Sequence, residues 1–417
     1  MTPVPLRRNR DFVLLQVGQT LSAIGSESTA IAYPLVVLAV THSPAKAGAV
    51  AFARILPWGL FGFLAGVAVD RFHRKRMMIV SDIVRALAIS TVAVAVIAGK
   101  LTFAQVLVVA FVEGTMYVFF NVAEIGALRS VVPLRQLPEA AAAEQARYAT
   151  VAIVAPPLGG VLFTIARALP FVFDAFSYVF SLGSLLAIRT PFQEERERSD
   201  EPLKAQLAEG FRWLWSRPFL RACALLFTWT NLVFEGLALT LIVVGRDQGL
   251  TGGEIGLLIA GFGLCALAGS LVSPRVQRRF SMRTIIVGSF WVQVAIAAFL
   301  FYPSVYVLLV AALPIAFTVP SLSAVVIGYR VAVVPDRLTG RVNSVARTIA
   351  LCAAPLGPLV AGVMLGATSA RATVALFTGL VIVLAVVATV SSSIRSAPSL
   401  SELDALPTRT ASRAEAG

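Results

Sequence analysis

Charge is what this chain of 417 residues has least of. Only 14% of it is Asp, Glu, Lys or Arg, against 58% hydrophobic residues and a mean hydropathy of +0.83. A soluble protein of this length needs more charge on its surface, so that class is set aside first. Cysteine is scarce as well. Cys223, Cys265 and Cys352 all fall inside apolar runs without metal-type spacing, which argues against a disulfide framework. The only two histidines, His42 and His73, stand between apolar runs, so no metal-ligand set is in view and no cofactor is expected. A G-x-x-x-x-G-K-[ST] loop is missing, which argues against ATP as a direct energy source and leaves enzymatic readings weak.

What is present is a row of twelve long apolar runs. They cover about 12–39, 48–69, 77–98, 102–124, 141–166, 169–188, 219–244, 254–273, 284–302, 305–329, 342–366 and 371–393. Each is close to the roughly 20 residues a helix needs to cross a bilayer. The expected fold class is therefore an all-α membrane protein of twelve transmembrane helices, with the lipid bilayer as its first partner. The basic start at Arg7, Arg8 and Arg10 precedes a run too long for a signal peptide, so it reads as a retained first span.

The net charge of +13 could suggest nucleic acid, but the Lys and Arg residues sit in short loops, where they set topology. With both termini cytoplasmic, the opposite face holds only Lys46, Lys100, Arg167, Arg246 and Arg371, and the cytoplasmic face holds most of the rest. No nucleic-acid partner is expected, and the localisation implied is a cytoplasmic (inner) membrane, crossed many times.

The longest break runs from Thr190 to Pro218. It carries Glu194, Glu195, Arg196, Glu197 and Arg198, then Leu203, Leu207, Phe211, Leu214 and Trp215 at helical spacing. This reads as a linker with an amphipathic helix on the cytoplasmic surface. It divides the chain into a first six-helix half (1–189), the linker (190–218), a second six-helix half (219–394) and a polar, disordered tail (395–417). The halves repeat. Val131-Val132-Pro133 with Leu137 recurs as Val333-Val334-Pro335 with Leu338, and Ala146-Arg147 recurs as Ala346-Arg347, 200 positions on. Parallel repeats of this kind place a substrate site between the halves near mid-depth.

Two motifs and four shorter segments carry a resemblance. Gly66-Val67-Ala68-Val69-Asp70-Arg71-Phe72-His73-Arg74-Lys75-Arg76 resembles the span 2–3 signature of the major facilitator superfamily, G-x-x-x-D-R-x-G-R-R, with His73 in place of its Gly. Ala155-Pro156-Pro157-Leu158-Gly159-Gly160 resembles the superfamily's antiporter signature, G-P-x-x-G-G, with Ala for the first Gly. Ser81-Asp82-Ile83-Val84-Arg85-Ala86, Phe173-Asp174-Ala175-Phe176-Ser177-Tyr178, Glu209-Gly210-Phe211-Arg212-Trp213-Leu214 and Val334-Pro335-Asp336-Arg337-Leu338-Thr339-Gly340-Arg341-Val342-Asn343-Ser344 are together similar to the exporter branch that includes macrolide efflux pumps and the enterobactin exporter. The resemblance spans about residues 10 to 395. It implies two rocking halves, a cytoplasmic gate at Asp70 with Arg71, Arg129 and Arg341, and a hinge at Pro156, Gly159 and Gly160. The basic cluster after Asp70 also reads simply as topology-setting charge, and the span 5 motif as plain helix packing. Ser273 stands where the second half would repeat Asp70, so the halves are not equivalent.

Charges inside the runs need a partner, a cavity or a job. Glu27, Glu113 and Glu235 lie near mid-span and are the candidate proton or substrate sites, with Arg54 and Tyr117 beside them. An acid removed from water binds a proton more readily, so such a residue can load and unload one. The plainer alternative is a structural pair such as Glu27 with Arg54. Asp82–Arg85 and Glu144–Arg147, each three apart, read as local pairs. Arg347 reads as reaching the headgroups. Together with the resemblance, this implies proton-coupled export of a small hydrophobic or amphipathic compound by a monomer. A proton-independent facilitator or lysophospholipid flippase, and a non-transporting sensor of the same fold, are the alternatives.

Overall fold

The structure is a computed structural model that describes residues 5–192 and 203–395. The charged stretch Glu194–Arg198 and the tail beyond Arg395 lie outside the described residues, as do the side chains of Asp70, Leu203 and Asp336. Helices α1 (Arg10–Thr41), α2 (Pro44–Arg71), α3 (Arg74–Ile97), α4 (Phe103–Val131), α5 (Leu137–Ile165) and α6 (Leu169–Ala187) form the first bundle. After α7 (Leu203–Trp215), the second bundle comprises α8 (Pro218–Asp247), α9 (Gly252–Arg279), α10 (Met282–Gln293), α11 (Ala298–Phe301), α12 (Val305–Val333), α13 (Thr339–Leu351), α14 (Leu356–Ala367) and α15 (Ala370–Val390), then a last turn, α16 (Ser392–Arg395). Among the described residues there is no strand.

Polar caps fix where the spans begin. Ser43, Thr102, Ser281 and Ser369 each accept a backbone N–H of the first turn, and Thr251 with Glu254 closes a capping box at the start of α9. The connections at the end away from the termini are tight. His42 after α1 and Gly249 after α8 occupy the same place in the two halves, and both have positive φ (52° and 85°). The Val-Pro repeat is structural too: Pro133 and Pro335 each open a 3₁₀ turn, with 2.8 Å bonds from Gln136 N and Leu338 N back to the proline carbonyls.

Eleven stretches of helix among the described residues are long and apolar enough to cross a membrane. The expected span at 48–69 is the 28-residue α2, which is not among the eleven but packs closely against α4 of its own bundle and α14 of the other. The outer surface exposes Leu87, Ile97, Val108, Ile165, Phe176 and Leu186, an apolar belt that only lipid can cover in a monomer. In α7, Leu214 is buried against α8 while Phe211 and Trp215 stack at 5.1 Å on the exposed side.

Two expected spans are not continuous. The run 284–302 contains a 3₁₀ stretch at Val294–Ala297 between α10 and α11. The run 342–366 breaks at Cys352–Pro355, separating α13 from α14. Pro355 has no N–H, and its ring clashes with the carbonyl four residues back, so the ladder stops there. The carbonyls next to the break find partners on α8: Thr228 Oγ1 donates to Ile349 O at 2.6 Å and Asn231 Nδ2 to Ala350 O at 3.0 Å. In α5, by contrast, the helix runs unbroken through Pro156 and Pro157.

The bundles meet along α5 with α9 and α2 with α14. A Cβ built on Gly160 would lie 1.9 Å from Gly252 O, and one on Gly48 would lie 2.3 Å from Pro358 O. These backbone approaches fall at the end of the bundle away from the termini, so the halves are clasped there. Small residues allow such contact between helices in lipid, where no hydrophobic force drives association.

Candidate functional site

Two lobes of a cavity lie between the bundles, and a third lies beside them within the second bundle. The first, about 450 Å³, is lined by Glu27, Arg54, Trp58, Glu113, Tyr117, Glu235 and Arg347. The second, about 570 Å³, is mostly apolar, with Phe234 and Phe262 in its wall and Thr230, Asn231 and Gln293 as polar points. The third, about 390 Å³, sits toward the terminal end of the second bundle, between α8, α12 and α13. Glu27 and Pro156 line both of the first two lobes; Arg347 and Leu351 line the first and third; Phe227 and Ser323 line the second and third.

Arg54 on α2 is the hub of the first lobe. Its Nη2 lies 3.8 Å from Glu27 Oε1 and donates to Ser26 O at 3.1 Å, while its Nε lies 3.9 Å from Glu113 Oε1. The two carboxylates differ in their surroundings. Glu113 is 1% exposed and accepts from Tyr33 at 2.9 Å and Tyr178 at 3.2 Å. The Glu27 side chain is 47% exposed and opens onto the cavity. Glu235, from the other half, faces the same lobe and forms no hydrogen bond or ion pair among the described residues. Tyr117 does share a wall with Glu113, edge-on to Trp58 at 6.0 Å between centroids. Trp229 lies elsewhere, in a groove of α8 and α15.

Behind Glu113 a polar seam crosses the first bundle. Tyr178 is 3.0 Å from Ser26 Oγ, which accepts from Arg85 Nη2 at 2.7 Å, and the Arg85 guanidinium lies 4.1 Å over the Tyr178 ring. Arg85 keeps its expected contact with Asp82 at 3.9 Å, and Asp82 also accepts from Ser181 at 2.7 Å. Asp174, fully buried, accepts from Thr29 at 2.5 Å. These groups bond mainly to one another, although Asp82 Oδ1 and Arg85 Nε find no hydrogen-bond partner among the described residues.

Other sequence expectations meet the structure as follows. Arg147 pairs with Glu144 at 2.7 Å but equally with Glu124 at 2.8 Å, an acid the three-residue spacing could not reveal. Arg347 does not reach for the headgroups. It lies 4.5 Å over the Trp58 ring, inside the cavity. Its place 200 residues after Arg147, which also turns inward, was the available signal. Arg330, in the third lobe, carried no signal in sequence. Of the gate residues, Arg71 and Arg129 are exposed at the ends of α2 and α4, and the Asp70 side chain lies outside the described set. Arg341 pairs with Glu209 of α7, which also holds Arg337 at 3.3 Å. Gly159 and Gly160 lie in the contact surface of α5, where a Cβ on Gly159 would meet Ser28 O at 2.4 Å. Ser28 Oγ donates to Ala155 O at 3.0 Å beside Pro156.

Two helical bundles around a charged central cavity, wrapped in an apolar belt, define a multi-pass membrane transporter rather than an enzyme. The chain belongs to the MFS_3 family of the major facilitator superfamily, described as transmembrane secretion effectors, whose family model matches residues 2–412. It is 26% identical over 376 residues to the multidrug efflux pump Tap of Mycolicibacterium fortuitum, covering 87% of this chain and 91% of that protein. It is 24% identical over 355 residues to macrolide efflux protein A of Streptococcus pyogenes, covering 83% of this chain and 87% of that protein. Its fold is shared with a bacterial homologue of the iron transporter ferroportin in its inward-facing state, at a TM-score of 0.73 and 18% identity, covering 93% of this chain and 99% of the other.

Proposed function

We propose that this protein is a proton-coupled drug exporter of a bacterial cytoplasmic membrane, moving a small hydrophobic or amphipathic compound by alternating access. The observation that carries the reading is the cavity between the halves, faced by Glu27 from one bundle and Glu235 from the other. Residues 1–189 and 219–394 act as the two rocking halves, linked by 190–218, and a single chain is the working unit. With both termini in the cytoplasm, the glycine clasp shuts the outer end and the cavity faces inward. A substrate entering from the cytoplasm meets apolar walls and exposed acids, the lining expected of a drug-sized pocket. The long Glu27–Arg54 contact leaves Glu27 free to exchange Arg54 for a proton or a substrate cation. Alternate occupation of the same carboxylates couples the two flows. The efflux roles in the names of the two relatives support the direction. Asp70, Arg71, Arg129 and Arg341 are assigned to the inner gate, and Pro156, Gly159 and Gly160 to the outer contact about which the halves turn.

The test is drug accumulation in everted membrane vesicles, with and without an imposed proton gradient, for the wild type and Glu27→Gln. Gradient-dependent uptake that is lost in the variant is the expected result. Uptake indifferent to an uncoupler removes the coupling role of the glutamates and leaves a proton-independent facilitator.

A further inference from the structure

The third lobe of the cavity carries charge of the opposite sign to the first. Arg330, on the last turn of α12, lines it, and its Nε is buried without a hydrogen-bond partner among the described residues. Among the described residues no carboxylate pairs with the Arg330 guanidinium. Arg347 stands at the junction with the first lobe, where its described contact is the Trp58 ring. Asn343 and Ser323 add hydrogen-bonding groups, and Leu220 and Phe227 supply an apolar wall.

The internal repeat sharpens the point. Arg147 and Arg347 are equivalent positions, and Arg147 is paired with both Glu124 and Glu144. Two hundred residues on, those acids are replaced by Ala324 and Ser344. The second half thus keeps the guanidinium and lacks the anions that would neutralise it. Arg347 is exposed to the cavity while Arg330 is partly buried, and a partly buried guanidinium with no anion is costly unless a ligand supplies one. The first lobe holds the converse, a carboxylate at Glu235 that is unpaired among the described residues. Phe227, in the third lobe, precedes Glu235 by eight residues on α8, so the two regions lie about 12 Å apart along the helix.

We propose that the third lobe is an anion subsite, with Arg330 and Arg347 as its ligands, so that the preferred cargo is a zwitterion. Its amine sits at Glu27 and Glu235, and its carboxylate sits at Arg330 and Arg347. The subsite rests on the export reading and names the substrate class for it. Charge-assisted guanidinium–carboxylate bonds are among the strongest single contacts such a pocket offers.

The test uses norfloxacin, which carries an amine and a carboxylate at opposite ends, and its ethyl ester, which keeps only the amine. Uptake of each into everted vesicles under a proton gradient is measured for the wild type, Arg330→Gln and Arg330→Lys. The wild type is expected to show a KM about tenfold lower for norfloxacin than for the ester. Arg330→Gln raises the norfloxacin KM to the ester's value and leaves the ester unchanged, and Arg330→Lys recovers part of the difference. An Arg330→Gln effect equal for both compounds, or absent for both, overturns the subsite while export stands. Uptake of neither compound by the wild type overturns the export reading and the subsite with it.

Discussion

Gly160 on α5 and Gly252 at the start of α9 touch backbone to backbone, so that a Cβ on Gly160 would stand 1.9 Å from Gly252 O. That contact joins the two bundles at the end away from the termini. The obstacle is backbone rather than the tip of a flexible side chain, so a methyl group there must push the helices apart. Gly160→Ala is expected to open this end and shift the population toward the state that is open there. Spin labels on Arg167 and Thr251, read by pulsed dipolar spectroscopy, should then move apart. An unchanged distance distribution would show that the clasp tolerates the methyl and does not control the equilibrium.

The two partners of Arg54 should separate structure from transport. Glu113 is buried and held by two tyrosines, so Glu113→Ala takes the buried anion from Arg54, leaves the Tyr33 hydroxyl without its acceptor and costs Tyr178 one of its two partners. The expected loss is about 3 kcal/mol, seen as a lower melting temperature in detergent. Glu27 is half exposed, and Glu27→Gln should change stability by less than about 0.5 kcal/mol while removing gradient-driven uptake. Equal thermal losses in the two variants would contradict this division.

The break between α13 and α14 gives a third prediction. Pro355→Ala restores the missing donor and allows the helix to run on. The variant should melt at or above the wild-type temperature yet transport at least about tenfold more slowly, because Thr228 and Asn231 then lose their carbonyl partners to the helix ladder. Wild-type uptake rates in Pro355→Ala would show the break to be dispensable.

Glu209 on α7 ties the linker to the start of α13 through Arg337 and Arg341. Its side chain is 35% exposed and that of Arg337 76% exposed, so solvent screens the contact. Glu209→Gln should cost no more than about 1 kcal/mol, and the loss should shrink as salt is added. A loss of several kcal/mol that is insensitive to salt would mean that α7 is a structural pillar of the second bundle.

The span 5 prolines and glycines, the Val-Pro repeat and the mid-span glutamates were all legible in the sequence, because each departs from an otherwise uniform apolar background. The sequence alone also sufficed to place the apolar runs, since hydrocarbon satisfies no backbone hydrogen bond and a run of about 20 apolar residues can only be helical there, but not the breaks at Val294–Ala297 and Cys352–Pro355. It could not say which way Arg347 turns, that Glu124 joins Arg147, or that Arg330 is left without an anion. In a helix that is apolar on every side, periodicity does not mark the buried face. Nor could it distinguish Pro355, which breaks its helix, from Pro156 and Pro157, which do not. Those outcomes were decided by which helices pack against which. A carbonyl freed by proline, or a charge set inside the bilayer, is tolerable only where a neighbouring helix brings a partner to it, and only the tertiary structure determines which neighbour that is.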